Sequence, residues 1–260
     1  EDIINGKFGK FDDEIAADKA LRTALAIMTE GITAAPLQGI ESVKIKKNID
    51  GSKYLAIYYA GPMRSAGGTE QALTVLFGDY IRILLHLDRY KITNEEIGRF
   101  IEELRLYERK IGRFQYHPSD DDLRRILNYL PIEVTGPPTD KYQVSVYRNL
   151  ERIETNYVRG GALRVINDGI YGKADKLRKI VEKIGLDWSW LNVKSKKSEE
   201  NQGKIQPDDK YLVDVVGGRP IFSHPSRFGG FRLKYGRARN AGMAASVITP
   251  VTMVTLVRFN

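Results

Sequence analysis

Hydrolytic or group-transfer chemistry draws on imidazoles, thiols or grouped carboxylates, and this chain offers few of them. Its three histidines, His86, His117 and His224, lie far apart in sequence, and cysteine is absent. Disulfides and thiolate zinc sites are therefore excluded within the chain, and a zinc ion would have to be completed by carboxylates. The densest acid cluster, Asp120-Asp121-Asp122, follows Ser119 at a predicted helix start, where the helix dipole favours negative charge. Capping accounts for that cluster, and both His117-Pro118 and His224-Pro225 read as loop positions. We assign no catalytic residue, no cofactor site and no metal ligand to this chain.

Three other stretches are suited to holding an anion. In "AGPMRSAGGT" (60–69) a glycine-rich turn stands between a strand and a helix, so Gly67 and Gly68 could offer backbone N–H groups while Arg64 adds charge. It is not a Walker A loop, because no lysine follows Gly68 and the spacing from Gly61 is wrong. A tight strand-to-helix turn explains it equally well. "VRGG" (158–161) sets Arg159 beside two glycines in the same manner. "SRFGGFRLKYGRARN" (226–240) is denser, with four arginines and a lysine among aromatics and glycines and no acid. On a strand, Phe231, Leu233 and Tyr235 would share one face, leaving Arg232 and Lys234 on the other, with Arg227, Arg237 and Arg239 extending the basic edge. Arginine forks match phosphate oxygens, so the predicted role is sequence-independent backbone contact.

The charge distribution supports that assignment. The chain of 260 residues carries 41 Lys/Arg and 33 Asp/Glu, net +8. Residues 215–260 hold seven of the basic residues and no acid, so the remainder is nearly neutral. A one-sign segment builds a field that attracts phosphates or anionic head groups. No long apolar run suggests a membrane span, and the N-terminus lacks a signal-peptide layout, so a soluble, cytoplasmic protein without a membrane partner is expected.

The elements that must position these residues read as α+β, with a helix-rich N-terminal part packed with hairpins and a β-rich C-terminal part. Ala16, Ala20, Leu21, Ala24, Leu25 and Met28 make one helical face over 13–31, with Gly31 as C-cap. Asp50-Gly51 predicts a hairpin turn, and Ala72, Leu76, Tyr80, Ile83, Leu84 and Leu87 mark a helix after the glycine turn. Thr93 and Glu96 form a capping box ahead of Phe100, Leu104, Tyr107, Ile111 and Phe114. Ser119 opens a helix that buries Leu123, Ile126, Leu127 and Leu130. From 132 to 170 the pattern is extended and β-prone around the glycine pair, and a basic amphipathic helix, 173–184, ends at Gly185. We expect a domain over 1–190, a mobile loop or linker over 191–210 and a basic β-rich segment over 211–260, the chain being a piece of something longer.

Three of these stretches together resemble a known family. "AGPMRSAGGTEQALTVLFGDYIR", "ERIETNYVRGGALRVINDGI" and "RPIFSHPSRFGGFRLKYGRARNAG", with "GRFQYHPSDDDLRRILNYLPIEVTG" between the first two, are similar in order to the N-terminal region of the large subunit of archaeal family D DNA polymerases. The resemblance covers most of residues 55–250. It implies a fragment of a multidomain, replicative DNA-directed DNA polymerase, a nucleotidyltransferase in which Mg²⁺ is held by aspartates of an Asn-Ala-Asp-Phe-Asp-Gly-Asp motif. That motif does not occur in this chain. It further implies a heterodimer with a small exonuclease subunit, a primer-template DNA substrate and a sliding clamp as partner. The nucleic-acid-binding residues expected here are Arg64, Arg159, Arg227, Arg232, Lys234, Arg237 and Arg239. The alternatives are an assembly surface that docks an acidic subunit or a second copy, and a nucleotide-binding enzyme using "RSAGGT".

Overall fold

The β-prone runs flanking Asp50-Gly51 form a hairpin in the computed structural model, which describes residues 1–29 and 34–191. Strands β1 (Ile40–Lys47) and β2 (Lys53–Tyr59) pair antiparallel, with Ile45 opposite Leu55. Gly51 turns the chain at φ +85°, and the Asp50 carboxylate accepts the Ser52 N–H at 3.0 Å. A short strand, β3 (Glu133–Thr135), joins β2 in parallel, giving the order β1-β2-β3.

As the central strand, β2 is buried on both faces, which explains its nearly continuous apolar and aromatic sequence. Leu55, Ile57 and Tyr59 enter the main core, and Tyr54, Ala56 and Tyr58 form a second cluster with Tyr90. Each buried tyrosine of β2 keeps a partner for its hydroxyl: Tyr59 with Thr74 at 2.7 Å, Tyr54 with Glu133 at 2.9 Å and Tyr58 with Glu154 at 2.6 Å. Burial pushes the Tyr54 and Tyr58 phenols well above their ordinary range.

Helices cover the main core. The first, α1 (Asp13–Met28), buries Ala16, Ala17, Leu21 and Leu25, and a single turn, α2 (Ala35–Gln38), leads into the sheet. The expected cap Gly31 lies outside the described residues. After β2, a 3-10 turn (Gly61–Ser65) leads to α3 (Gly68–Leu84). In α4 (Asn94–Lys110) the capping box forms as expected, Glu96 N–H donating to Thr93 Oγ1 and Thr93 N–H to Glu96 Oε2 at 2.8 Å. Ser119 caps α5 (Asp120–Asn128) by accepting the Asp122 N–H, so the acid triplet lies in the first turn. The last long helix, α7 (Ala174–Ile184), ends at Gly185 with φ +71°.

The arrangement departs from expectation over 142–171. "YQVSVYR" forms no strand, only a bridge between Gln143 and Tyr157. The β-prone run after Arg159 is a short helix, α6 (Gly160–Arg164), continuing as a π-helix, Val165–Tyr171. Its Val165, Ile166 and Ile170 are buried in the core between neighbours, and this tertiary burial outweighs their β preference. The described residues are thus helix-rich α+β with one small sheet. None of their helices is long and apolar enough to cross a membrane. The expected linker beyond 191 and the segment 211–260 lie outside the described residues.

Candidate nucleic-acid interface

The glycine-rich turn and the "VRGG" segment, a hundred residues apart in sequence, meet at one junction. Gly161, in the first turn of α6, lies against the end of β2, where a Cβ would sit 2.5 Å from the Tyr59 carbonyl oxygen and 2.6 Å from that of Ala60. Gly68 begins α3 against the π-helix, where a Cβ would meet the Asp168 carbonyl oxygen at 2.5 Å. In both places backbone packs on backbone, so these glycines serve close approach. The end of α3 is also capped from within the chain. Gly67 N–H donates to Glu70 Oε2 at 2.9 Å, and the buried Gln71 amide donates to the Met63 and Ala66 carbonyls. A carboxylate thus occupies the position a phosphate would take.

Arg64 leaves this turn toward residues 139–140. Its guanidinium donates to the Asp140 carboxylate and to the Thr139 carbonyl, both at 3.2 Å, and its side chain is 29% exposed. The Thr139 hydroxyl in turn accepts the Gly160 N–H at 2.7 Å, so the two glycine segments are linked through one residue, by its carbonyl on the Arg64 side and its hydroxyl on the other. Arg64 retains an exposed part and could reach an anion, in competition with Asp140.

Arg159 requires a correction, because it lies inside the protein at 1% exposure. Its Nε and Nη2 donate to Glu103 Oε1 at 3.0 and 2.8 Å, its Nη1 donates to Thr135 Oγ1 at 3.0 Å, and its plane lies over the Phe100 ring. The fork is committed to a buried carboxylate and has no face to offer DNA. Glu103 also accepts from Arg99 Nε at 2.6 Å, and both residues are fully buried. The rest of the Arg99 guanidinium donates to the carbonyls of Tyr147, Thr155 and Tyr157. Burial, reinforced by the charge of Arg159, lowers the Arg99 pKa against the pull of Glu103. One carboxylate between two arginines therefore ties α4 to α6, β3 and the loop 145–157.

Further polar contacts hold the same loop. Glu102 accepts the N–H groups of Ser145, Val146 and Tyr147 at 2.6, 3.0 and 3.0 Å. Burial opposes its ionisation, but these donors prevail and hold its carboxyl below the ordinary glutamate value. Glu133, buried beside Lys46 and Tyr54, is shifted the other way, burial raising it despite the lysine at 2.9 Å.

Sequence reasoning missed Arg99 and Glu103, although a signal was present. They stand four apart on α4, interleaved with Phe100, Leu104 and Tyr107 on the stripe that faces the core. Arg227, Arg232, Lys234, Arg237 and Arg239 lie outside the described residues. Among the described residues no group of three His, Asp or Glu comes together to hold a metal ion.

A family model described as DNA polymerase II large subunit DP2, N-terminal, matches residues 1–197, and one for the central domain of the same subunit matches 198–260. The chain is 51% identical over 262 residues to the DNA polymerase II large subunit of Archaeoglobus fulgidus, covering 98% of this chain and 22% of the relative. It is 51% identical over 248 residues to that of Methanothermobacter thermautotrophicus, covering 94% of the chain and 23% of the relative. With the Pyrococcus furiosus protein the identity is 46% over 296 residues, covering 100% and 23%. The chain thus spans less than a quarter of the length of these relatives, and within that span it belongs to the family of DNA polymerase II large subunits, as their N-terminal portion.

Proposed function

We propose that this chain is a non-catalytic part of a DNA-directed DNA polymerase large subunit and contributes DNA-backbone contacts and subunit architecture. One observation carries the reading: in a chain whose relatives are named DNA polymerase II large subunit, seven of the eight net positive charges fall within residues 215–260. Arg227, Arg232, Lys234, Arg237 and Arg239 are the proposed phosphate contacts, with Arg64 as a secondary one. Arg159 is withdrawn from that set because Glu103 holds it in the interior. Nucleotidyl transfer and the Mg²⁺ it would use are assigned to the rest of the enzyme. A small exonuclease subunit and a sliding clamp are the proposed partners of the whole enzyme, which would act in the cytoplasm.

Titrating the 260-residue chain with primer-template DNA over a salt series tests this. Each phosphate neutralised adds about 0.9 to the slope of log affinity against log salt on duplex DNA. Replacing Arg232, Arg237 and Arg239 together by alanine should therefore lower the slope by about 2.7. An unchanged slope, or no detectable binding at low salt, favours the assembly-surface reading instead.

A further inference from the structure

The basic amphipathic helix α7 is not explained by the core it covers. Its Ala174, Leu177 and Val181 are buried, and at 100° per residue this places Lys176, Lys179 and Lys183 together on the opposite side, where all three are exposed. The acids of the helix, Asp175 and Glu182, fall to one side of that row, and Asp175 is engaged with Arg178. Among the described residues none of the three lysines pairs with a carboxylate. Instead Lys176 Nζ reaches Thr69 Oγ1 in the first turn of α3 at 3.3 Å. Lys173, just before the helix, crosses to the Tyr116 hydroxyl at 3.0 Å and lies over its ring.

For a helix that only had to stay folded this would be a poor arrangement. Lysines at i, i+3 and i+7 repel one another along one face, and Lys173 and Lys176 sit at the N-terminal end, where the dipole disfavours positive charge. A surface built for solubility alone would intersperse acids on this stripe. The repulsion along the row is relieved when a row of negative charges lies alongside. At 1.5 Å per residue the row spans about 10 Å, the axial advance of three phosphate steps at about 3.4 Å each, so its three lysines lie along a run of four phosphates of one duplex strand. Lysine's flexible point charge suits contacts that hold the backbone without reading bases.

We propose that the exposed row Lys176, Lys179 and Lys183 is a second nucleic-acid contact surface, which takes phosphates within one short run of a single strand irrespective of sequence. This rests on the DNA-binding reading above but on different residues, so the two can fail separately. The test compares three forms of the 260-residue chain for binding of a labelled DNA duplex by fluorescence anisotropy between 50 and 200 mM salt. They are the unaltered chain, Lys176→Gln/Lys179→Gln/Lys183→Gln, and a charge-matched control with Lys10, Lys47 and Lys110, exposed elsewhere, changed to Gln. Far-ultraviolet circular dichroism and melting curves check that all three fold alike.

The row variant should lose about 2.7 from the log–log salt slope, equivalent to removing about 40-fold of the affinity loss across that salt range. The control should keep the slope of the unaltered chain. If the unaltered chain binds and the row variant keeps its slope, or the control loses as much, the row is not a contact surface and the arginine reading stands alone. If the unaltered chain does not bind at 50 mM salt, both readings are overturned.

Discussion

Glu103 carries the sharpest consequence of the structure, since a single carboxylate neutralises two buried guanidiniums. Replacing it by glutamine keeps its volume and removes its charge. Arg99 and Arg159 then remain in the interior at 0% and 1% exposure without a counter-ion, both within 3 Å of the altered side chain. Removing one partner of a buried ion pair costs about 3–5 kcal/mol, and two arginines depend on this one. Against a total stability of roughly 5–15 kcal/mol this is a large share, worth about 6–20 °C of melting temperature for a domain of this size. Arg64→Ala provides the internal contrast. Its pair with Asp140 is partly exposed, so the expected loss is within about 1 kcal/mol. Urea titration followed by circular dichroism reads both variants. A Glu103→Gln loss below about 1 kcal/mol, or one no larger than that of Arg64→Ala, would refute the claim that this carboxylate holds the junction together.

Four further outcomes follow from the same geometry. Gly161→Ala should cost more than about 3 kcal/mol, beyond the ordinary range for a point substitution, because the added carbon meets the Tyr59 and Ala60 carbonyls, which cannot swing away. Gly185→Ala, left-handed but with open space around it, should cost only about 1–2 kcal/mol in the same urea assay. Thr93→Ala removes the α4 cap and should cost about 1 kcal/mol, with faster amide exchange confined to the first turn of that helix. The lowered pKa of Glu102 adds stability that is complete above the unfolded glutamate value and is lost as pH falls through the folded one. Glu102→Gln should thus flatten the acid limb of the stability profile and speed exchange at 145–147, and an unchanged limb would contradict this.

What the sequence disclosed was what local chemistry decides. The Thr93–Glu96 box, the Ser119 cap with its acids, the Asp50-Gly51 turn and the Gly185 stop each act within a few residues, and each forms as read. The segment after Arg159 was not legible, because Val165, Ile166 and Ile170 favour strands in isolation and become helical only through packing. Arg159 itself read as an anion contact because its true partner, Glu103, is 56 residues away. The phosphate-cradle reading of Gly67 and Gly68 was open in the sequence, and only the folded chain places Glu70 over Gly67 and the Asp168 carbonyl against Gly68. Arg99 and Glu103 stand on the core-facing stripe, but the helical pattern alone does not say which polar pairs the core will accept. The assignment of the tract 226–240 rests on composition and family, since those residues lie outside the described ones.

Contact between this tract and DNA is read out by photo-crosslinking from single positions. A photoreactive amino acid replaces Arg232 in one protein and the exposed Ile49 in another, and each is irradiated with labelled primer-template DNA. If the tract lies on the DNA backbone, position 232 gives a covalent adduct that disappears at high salt and position 49 gives little. Equal yields from the two positions, or none from 232 at low salt, would contradict it.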